Sequence, residues 1–397
     1  MWPPEPFPDP VFIPKMKRSL YLYTLSLPVM PIYMDVHDVQ GAEAIDLAEA
    51  HRKDMLIQGK YHCNCMTYWF DEVKGNAFCL IEAPDKASMT GMHKESHGLV
   101  PNKIIEVNND VVEAFLGRTG DPEDAEITDT GLKVFIETAF RIILVTEMKD
   151  PVLLQHDLGP RKSAYLVEKL NELIRKELAA FSGREVEHTG TGFIISFTSA
   201  VKAVSCALAI QKNITNTDKK LSVFKIGIGA GDPIAKSDKV FGDTIQLATH
   251  LCTITHNNNQ ILMYTIVKDL LPADQVRKNR SAIKSLAPQD ETFLETLFGI
   301  LDKKGQDPDF TIEAFCKAIS MSKSQLYRKT IAIWDLSPIQ LLKEFRLNKA
   351  LELLKGHRVN VSQTTFDSGF TSPSYFTKCF KKKFGLLPAN YLLKLKA

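Results

Sequence analysis

A chain of 397 residues exceeds what one hydrophobic core usually serves, and 44% hydrophobic with 24% charged residues is the composition of folded globular protein. No apolar run approaches the ~20 residues that span a bilayer, and seven scattered cysteines argue for reduced thiols in a cytoplasm over a disulfide framework. The net charge of +2 hides an uneven distribution: residues 307–397 hold 15 Lys and Arg against 7 Asp and Glu, with 34 against 40 elsewhere. A basic module on an acidic body is the electrostatic footprint of a nucleic-acid binder.

In chain order, residues 1–14 are rich in proline, and the basic run 15–18 precedes a short apolar stretch, 19–30. This imitates a signal peptide without its cleavage site, so 1–29 reads as a disordered lead or an over-extended start, with translation beginning at Met30. Residues 30–118 alternate short elements: strand 32–37, helix 42–57, strands 61–70 and 77–82 about the turn Lys74-Gly75-Asn76, helix 85–97 and strand 103–107. That β-α-β-β-α-β order suits a ferredoxin-like α/β sandwich. An acidic linker, 119–133, leads to an α/β block over 134–285, with strands at 141–146, 192–197 and 223–229 and helices at 162–181, 200–214 and 244–253. A linker helix at 286–306 then enters an all-α block, 307–397. The whole is multidomain α+β.

The last block repeats one grammar twice. Helix 311–319, a turn at 320–322 and helix 323–333, capped by Ser322, form the first unit. Its second helix turns Lys323, Ser324, Tyr327 and Arg328 outward, with Leu326 and Ile331 inward. Helix 338–355 connects to the second unit, helix 362–367, turn Ser368-Gly369-Phe370 and helix 373–384, whose polar edge offers Ser374, Thr377, Lys378, Lys381 and Lys382. The alternative for such a pattern is a helical bundle with a solvated basic face.

The first block holds five of the ten histidines. Asp35 and His37 lie two apart on a strand and share a face, and His93 and His97 lie four apart on a helix. Imidazole with carboxylate or thiolate suits nickel, zinc or copper. Surface histidines are the plainer alternative, and Cys63 and Cys65 fit a strand face turned to core or metal.

Three stretches resemble known families. MSKSQLYRK (321–329), RLNKALELL (346–354) and SGFTSPSYFTKCFKKKFGLLPANY (368–391) resemble the AraC/XylS regulators. The resemblance implies two recognition helices in successive major grooves, with Ser324, Tyr327 and Arg328, then Ser374, Tyr375 and Lys378, facing bases, flanked by Lys323 and Lys382. Asp335 departs from a usual glycine, and Gln363-Thr364-Thr365 from an apolar pair. Residues 183–211 and 225–252 resemble the class III nucleotide cyclases, which need two carboxylates for two metal ions. Here Glu147 stands at the first position and Thr191 at the second, Lys239 falls near the base-selecting acid, and Gln246 and His250 replace the family's Asn and Arg. A degenerate, non-catalytic domain is the expectation. Residues 30–38, 68–86 and 93–107 resemble a small ferredoxin-like family described as nickel-binding, which transfers its ligands to His37, His93 and His97, with Asp35 and His51 as further candidates.

The sequence thus reads as a cytoplasmic regulator that binds double-stranded DNA and pairs as a homodimer through the cyclase-like domain, away from membranes. Control falls to Ni2+ or another divalent transition metal, or to a small ligand. The alternative is a metal-binding protein or residual nucleotide cyclase whose DNA module only autoregulates its expression.

Overall fold

The computed structural model describes residues 30–217, 224–254, 261–356 and 360–395. The expected lead, 1–29, and Val223, the expected first residue of a strand, lie outside them. Among the described residues no helix is long and apolar enough to cross a membrane.

The first layer is built from β1 (Ile32–Asp38), α1 (Ala44–Ile57), β2 (Asn64–Asp71), β3 (Asn76–Glu82), α2 (Lys86–Ser96) and β4 (Lys103–Val107). Its strands form one antiparallel sheet in the order β2-β3-β1-β4, the ferredoxin-like arrangement. Alternation along β1 assigns its faces: Tyr33 packs with Met89 and Met92 of α2, while Met34 packs with Ile105 and the central domain. Asp85 caps α2 by accepting from Ser88 N at 2.7 Å. The strand expected from residue 61 starts later, because Gln58–Tyr61 is a 3-10 turn closed by His62 in the left-handed region.

Between the first layer and the central sheet, two features escape the sequence pattern. Helix α3 (Asn109–Leu116), capped by Asn108, follows β4, and a two-residue hairpin, β5 (Glu126–Ile127) with β6 (Lys133–Val134), occupies the expected linker.

The central sheet follows: β7 (Arg141–Met148), helices α4 (Pro151–Leu158) and α5 (Pro160–Ala180), β8 (Arg184–His188), β9 (Phe193–Phe197), α6 (Ala200–Thr217), β10 (Phe224–Gly231), α7 (Gly242–Ile254) and β11 (Ile261–Met263). Short helices α8 (Thr265–Asp269) and α9 (Ala273–Lys278) lead to β12 (Ile283–Ser285). The strand order is β12-β11-β10-β7-β9-β8. Ile142 and Leu144 face a core shared with α5 and α6, whereas Ile143 and Val145 join Met34, Phe78 and Phe115 of the first layer. Gly192 admits β9 to β7, since a Cβ there would lie 1.8 Å from the Thr146 carbonyl oxygen.

Helix α10 (Pro288–Lys304) shares its buried Leu294, Leu297 and Leu301 with the C-terminal helices. These are α11 (Ile312–Ala318), α12 (Lys323–Trp334), α13 (Pro338–Lys355), α14 (Val361–Asp367), α15 (Pro373–Phe384) and α16 (Pro388–Leu395). Ser322 and Ser337 each close a capping box with a glutamine three residues on. Asp335 ends α12 at φ +55°, the left-handed position where glycine is favoured and aspartate is tolerated. Thr364 and Thr365 are buried, but their hydroxyls donate to the carbonyls of Asn360 and Val361 at 2.9 Å each, so no polar group is stranded.

Arg141 joins the first two layers. Its buried guanidinium donates to the carbonyls of Phe115 at 3.3 Å and Leu116 at 3.1 Å, at the end of α3, and to Glu137 at 2.9 Å. Arg141→Met keeps the apolar stem and strands those acceptors, so unfolding of the full chain in urea should show a loss of about 3 to 5 kcal/mol. A change below 1 kcal/mol would mean that water replaces the guanidinium at about no cost.

Candidate functional site

Strand β1 and helices α1 and α2 bring a compact set of imidazoles and carboxylates together. Asp35 is fully buried; its Oδ2 lies 2.9 Å from His93 Nε2 and 3.2 Å from His37 Nε2, and its Oδ1 accepts from Cys79 N at 3.1 Å. Asp54 of α1 faces the other nitrogen: Asp54 Oδ2 is 3.1 Å from His93 Nδ1 and 3.2 Å from His97 Nε2, while Ser96 Oγ donates to Asp54 Oδ1. His93 is therefore clasped between two carboxylates. Burial works against its imidazolium, but Asp35 and Asp54 outweigh burial and lift its pKa to about 10. Burial likewise opposes the Asp35 charge, yet His37 and His93 hold that carboxyl well below the usual range. Asp54 is held low in the same way, by His93 and His97 against burial.

Four of the expected ligands, Asp35, His37, His93 and His97, thus converge. His51 stands at the margin, 3.6 Å from Asp121, and lines with His37, Asp54 and His97 a void of about 20 Å³. That is room for about one water or ion. Among the described residues the buried His37 Nδ1 has no hydrogen-bond partner, while His51 Nε2 is turned to Asp121 Oδ1. An imidazole and carboxylate set with a spare donor and an atom-sized void fits a divalent transition metal. Cys79 completes one ligand triad with Asp35 and His37, but burial pushes its thiol pKa well up, so it presents a neutral sulfur. Asp54 was missed by sequence reasoning. Its signal is a carboxylate on the buried stripe of α1, in register with Leu47 and His51.

The DNA-facing candidates all lie on exposed helix surface. On α12 these are Lys323, Ser324, Tyr327 and Arg328, and on α15 Ser374, Tyr375, Lys378 and Lys382. Lys323 is partly committed, 2.5 Å from Glu313. The inward stripe of α12 differs from expectation: Leu326, Thr330 and Trp334 are buried, and Ile331 is only half-buried. Four-residue spacing from Leu326 carries the stripe to the larger indole.

On the central sheet, Glu147 is exposed near the end of β7 and Thr191 is half-buried. Gln246 donates to Asp302 at 2.5 Å, and His250 stacks on Phe298 with ring centroids 3.8 Å apart. Burial pushes the His250 pKa down to about 4, so the ring is neutral near pH 7. Both side chains that replace the expected Asn and Arg are thus spent on α10.

Residues 33–107 match the family model described as nickel responsive protein SCO4226-like, and residues 315–394 match the helix-turn-helix domain model. Among curated proteins, histidine kinase P4 of Formosa agariphila is 35% identical over 102 residues, 26% of this chain and 7% of the kinase. The Rhizobium meliloti protein named "Putative adenylate cyclase 3" is 29% identical over 91 residues, 22% of this chain and 16% of that protein. The HTH-type transcriptional regulator MtrA of Neisseria gonorrhoeae is 27% identical over 131 residues, 33% of this chain and 42% of the regulator. The chain therefore spans less than half the length of each of these relatives. Taken with the geometry, the likenesses give a chain that carries an SCO4226-like domain, a nucleotide-cyclase-like domain and, last, an AraC-type helix-turn-helix domain.

Proposed function

We propose that this protein is a sequence-specific transcriptional regulator that binds duplex DNA through α12 and α15 and responds to a divalent transition metal, nickel first, at the β1/α1/α2 cluster. Its working parts are residues 30–118 as metal domain, 134–285 as a degenerate cyclase-like relay and dimer contact, and 307–397 as DNA-binding domain, joined by 119–133 and 286–306. It acts in the cytoplasm, as a homodimer. The observation that carries the reading is the pair of capped helices, each with an exposed polar edge, on the one strongly basic segment of the chain. Lys323, Ser324, Tyr327 and Arg328 serve the first major groove, and Ser374, Tyr375, Lys378 and Lys382 the second. At the metal site His37, His93, His97 and Asp35 supply ligands, Asp54 joins them, and His51 sits outside the inner set. A divalent cation there offsets two buried carboxylates and ties β1 to both helices.

Full-length protein should bind its operator with log affinity falling linearly in log salt, because counterions are released. Arg328→Ala should cost about 1 to 3 kcal/mol at one base position in a binding-site selection. Equal loss on every sequence would assign Arg328 to phosphate.

Calorimetric titration of the full chain with Ni2+ at neutral pH should give about micromolar or tighter binding. His93→Ala with His97→Ala should remove most of it, and Asp54→Asn should weaken it by about 10-fold to 100-fold. Undiminished binding by the double variant would put the site elsewhere.

With Mn2+ and ATP or GTP, purified protein should form no cyclic nucleotide above background, because Thr191 brings no charge to a metal and the neutral His250 none to a developing phosphate charge. Turnover that disappears in Glu147→Ala would overturn this.

A further inference from the structure

The end of β7 and the start of α4 meet the DNA-binding module directly. Asp150 caps α4 through Val152 N at 3.0 Å and Leu153 N at 3.1 Å. The same carboxylate accepts from Tyr391 of α16 at 3.1 Å and pairs with Lys355 of α13 at 2.9 Å. Leu153 is buried among Leu354, Phe376 and Phe380 of the module. Beside this joint lies a cavity of about 650 Å³, walled on one side by Glu147, Thr191 and Lys225 and on the other by α13 and the end of α15. Sites for small molecules run from about 300 to 1,000 Å³.

The lining has a definite chemistry. Its apolar surface comes from Phe298, Leu301, Trp334, Leu341 and Phe345. Five lysines and four carboxylates complete it. Three lysines are spent on three of the acids: Lys149 on Asp157, Lys355 on Asp150 and Lys383 on Glu344. Lys225 and Lys382 form no ion pair among the described residues, and the remaining acid, Glu147, faces Lys225 across the β7–β10 ladder. One cation is left in excess. A divalent metal would find a single open carboxylate among several ammonium groups, and a cationic ligand would meet the same field.

We propose that this cavity is a binding site for a small organic anion with an apolar, aromatic-sized body, its charge received by Lys225 and Lys382 and its body by Leu301, Trp334, Leu341 and Phe345. The occupant touches the central sheet and the DNA-binding module together. The site is read by binding alone, so it stands or falls separately from the regulator proposed above.

The probe is 8-anilinonaphthalene-1-sulfonate, titrated into the full chain, with N-phenyl-1-naphthylamine as its neutral counterpart. The sulfonate should bind saturably at one site and quench tryptophan emission, and Trp334→Phe should lose most of that quenching. Replacing both lysines, Lys225→Met with Lys382→Met, should weaken binding about tenfold or more, whereas Lys225→Arg with Lys382→Arg should retain it. The neutral probe should bind about tenfold or more weakly than the sulfonate. Equal binding of the two probes, undiminished binding by the methionine variant, or quenching that persists in Trp334→Phe would each overturn the proposal. Should the methionine variant fail to fold by circular dichroism, the probe pair and Trp334→Phe still decide.

Discussion

One strand, β7, sets the position of everything around it. Arg141 at its start reaches the carbonyl end of α3, and Asp150, two residues past its end, holds Tyr391 and Lys355 of the DNA-binding module. Between these charges the strand alternates, Ile142 and Leu144 toward α5 and α6, Ile143 and Val145 toward the ferredoxin-like sandwich. Neither sheet face is left for water, and the strand is apolar on both sides as a consequence. The two joints are buried and charge-assisted. A rotation of either neighbour about β7 would strand an ion or a row of carbonyls, at several times the cost of breaking a surface contact.

The cluster of imidazoles and carboxylates obeys the same rule on a smaller scale. Two buried carboxylates approach one imidazole from its two nitrogens, and only the doubly protonated ring donates to both. The proton on His93 therefore stands in for the positive charge that the site demands. Were a divalent metal bound here, His93, Asp35 and Asp54 would be the groups to hold it, and its charge would take the place of the imidazolium proton. The elements involved are a central strand and two helices on one side of it, so the charge at the centre governs how tightly α1 and α2 lie on the sheet. Among the described residues, His37 Nδ1 is the nitrogen of Asp35's two imidazole partners that stays without a hydrogen bond.

Much of this was legible in the sequence where local chemistry decides the outcome. The two-residue period of β1 and the cap at Ser322 mark their elements, and α13 and α15 run over 338–355 and 373–384 as the pattern predicts. Histidines four apart on α2 and two polar residues sharing a face of β1 foretold the cluster. Failures came where long-range packing wins. Strand β8, Arg184–His188, is an exposed edge with no apolar face to betray it. Helix α3 is short and follows β4 after a single capping residue, so its pattern merges with the strand. Asp54 went unread, although it shares the stripe of α1 that carries Leu47 and His51, because the pattern of α1 alone does not say what covers that stripe. Trp334 displaced Ile331 from the core because the facing α10 presents Phe293 and Phe298 within about 6 Å of the indole, distances of 6.3 and 6.1 Å that no local pattern encodes.

Beside β7 the cyclase-like surface meets a lysine-rich helix end across one cavity. A catalytic surface with two anionic metal positions would hold two divalent ions, and neighbouring ammonium groups would weaken each. Thr191 is neutral, and among the described residues Glu147 is the one carboxylate of the cavity without an ion pair. Lys225 on the adjacent strand and Lys382 and Lys383 on α15 then share the cavity with it. Burial, with a smaller contribution from the neighbouring Lys225, holds the Lys383 pKa below its usual value despite Glu344. Thr191 lines the same cavity as Lys225, α13 and the end of α15, so the central sheet and the C-terminal module share one surface there. Lys382 belongs at once to that wall and to the exposed polar edge of α15, so one ammonium group is shared between the cavity and the outer surface of that helix.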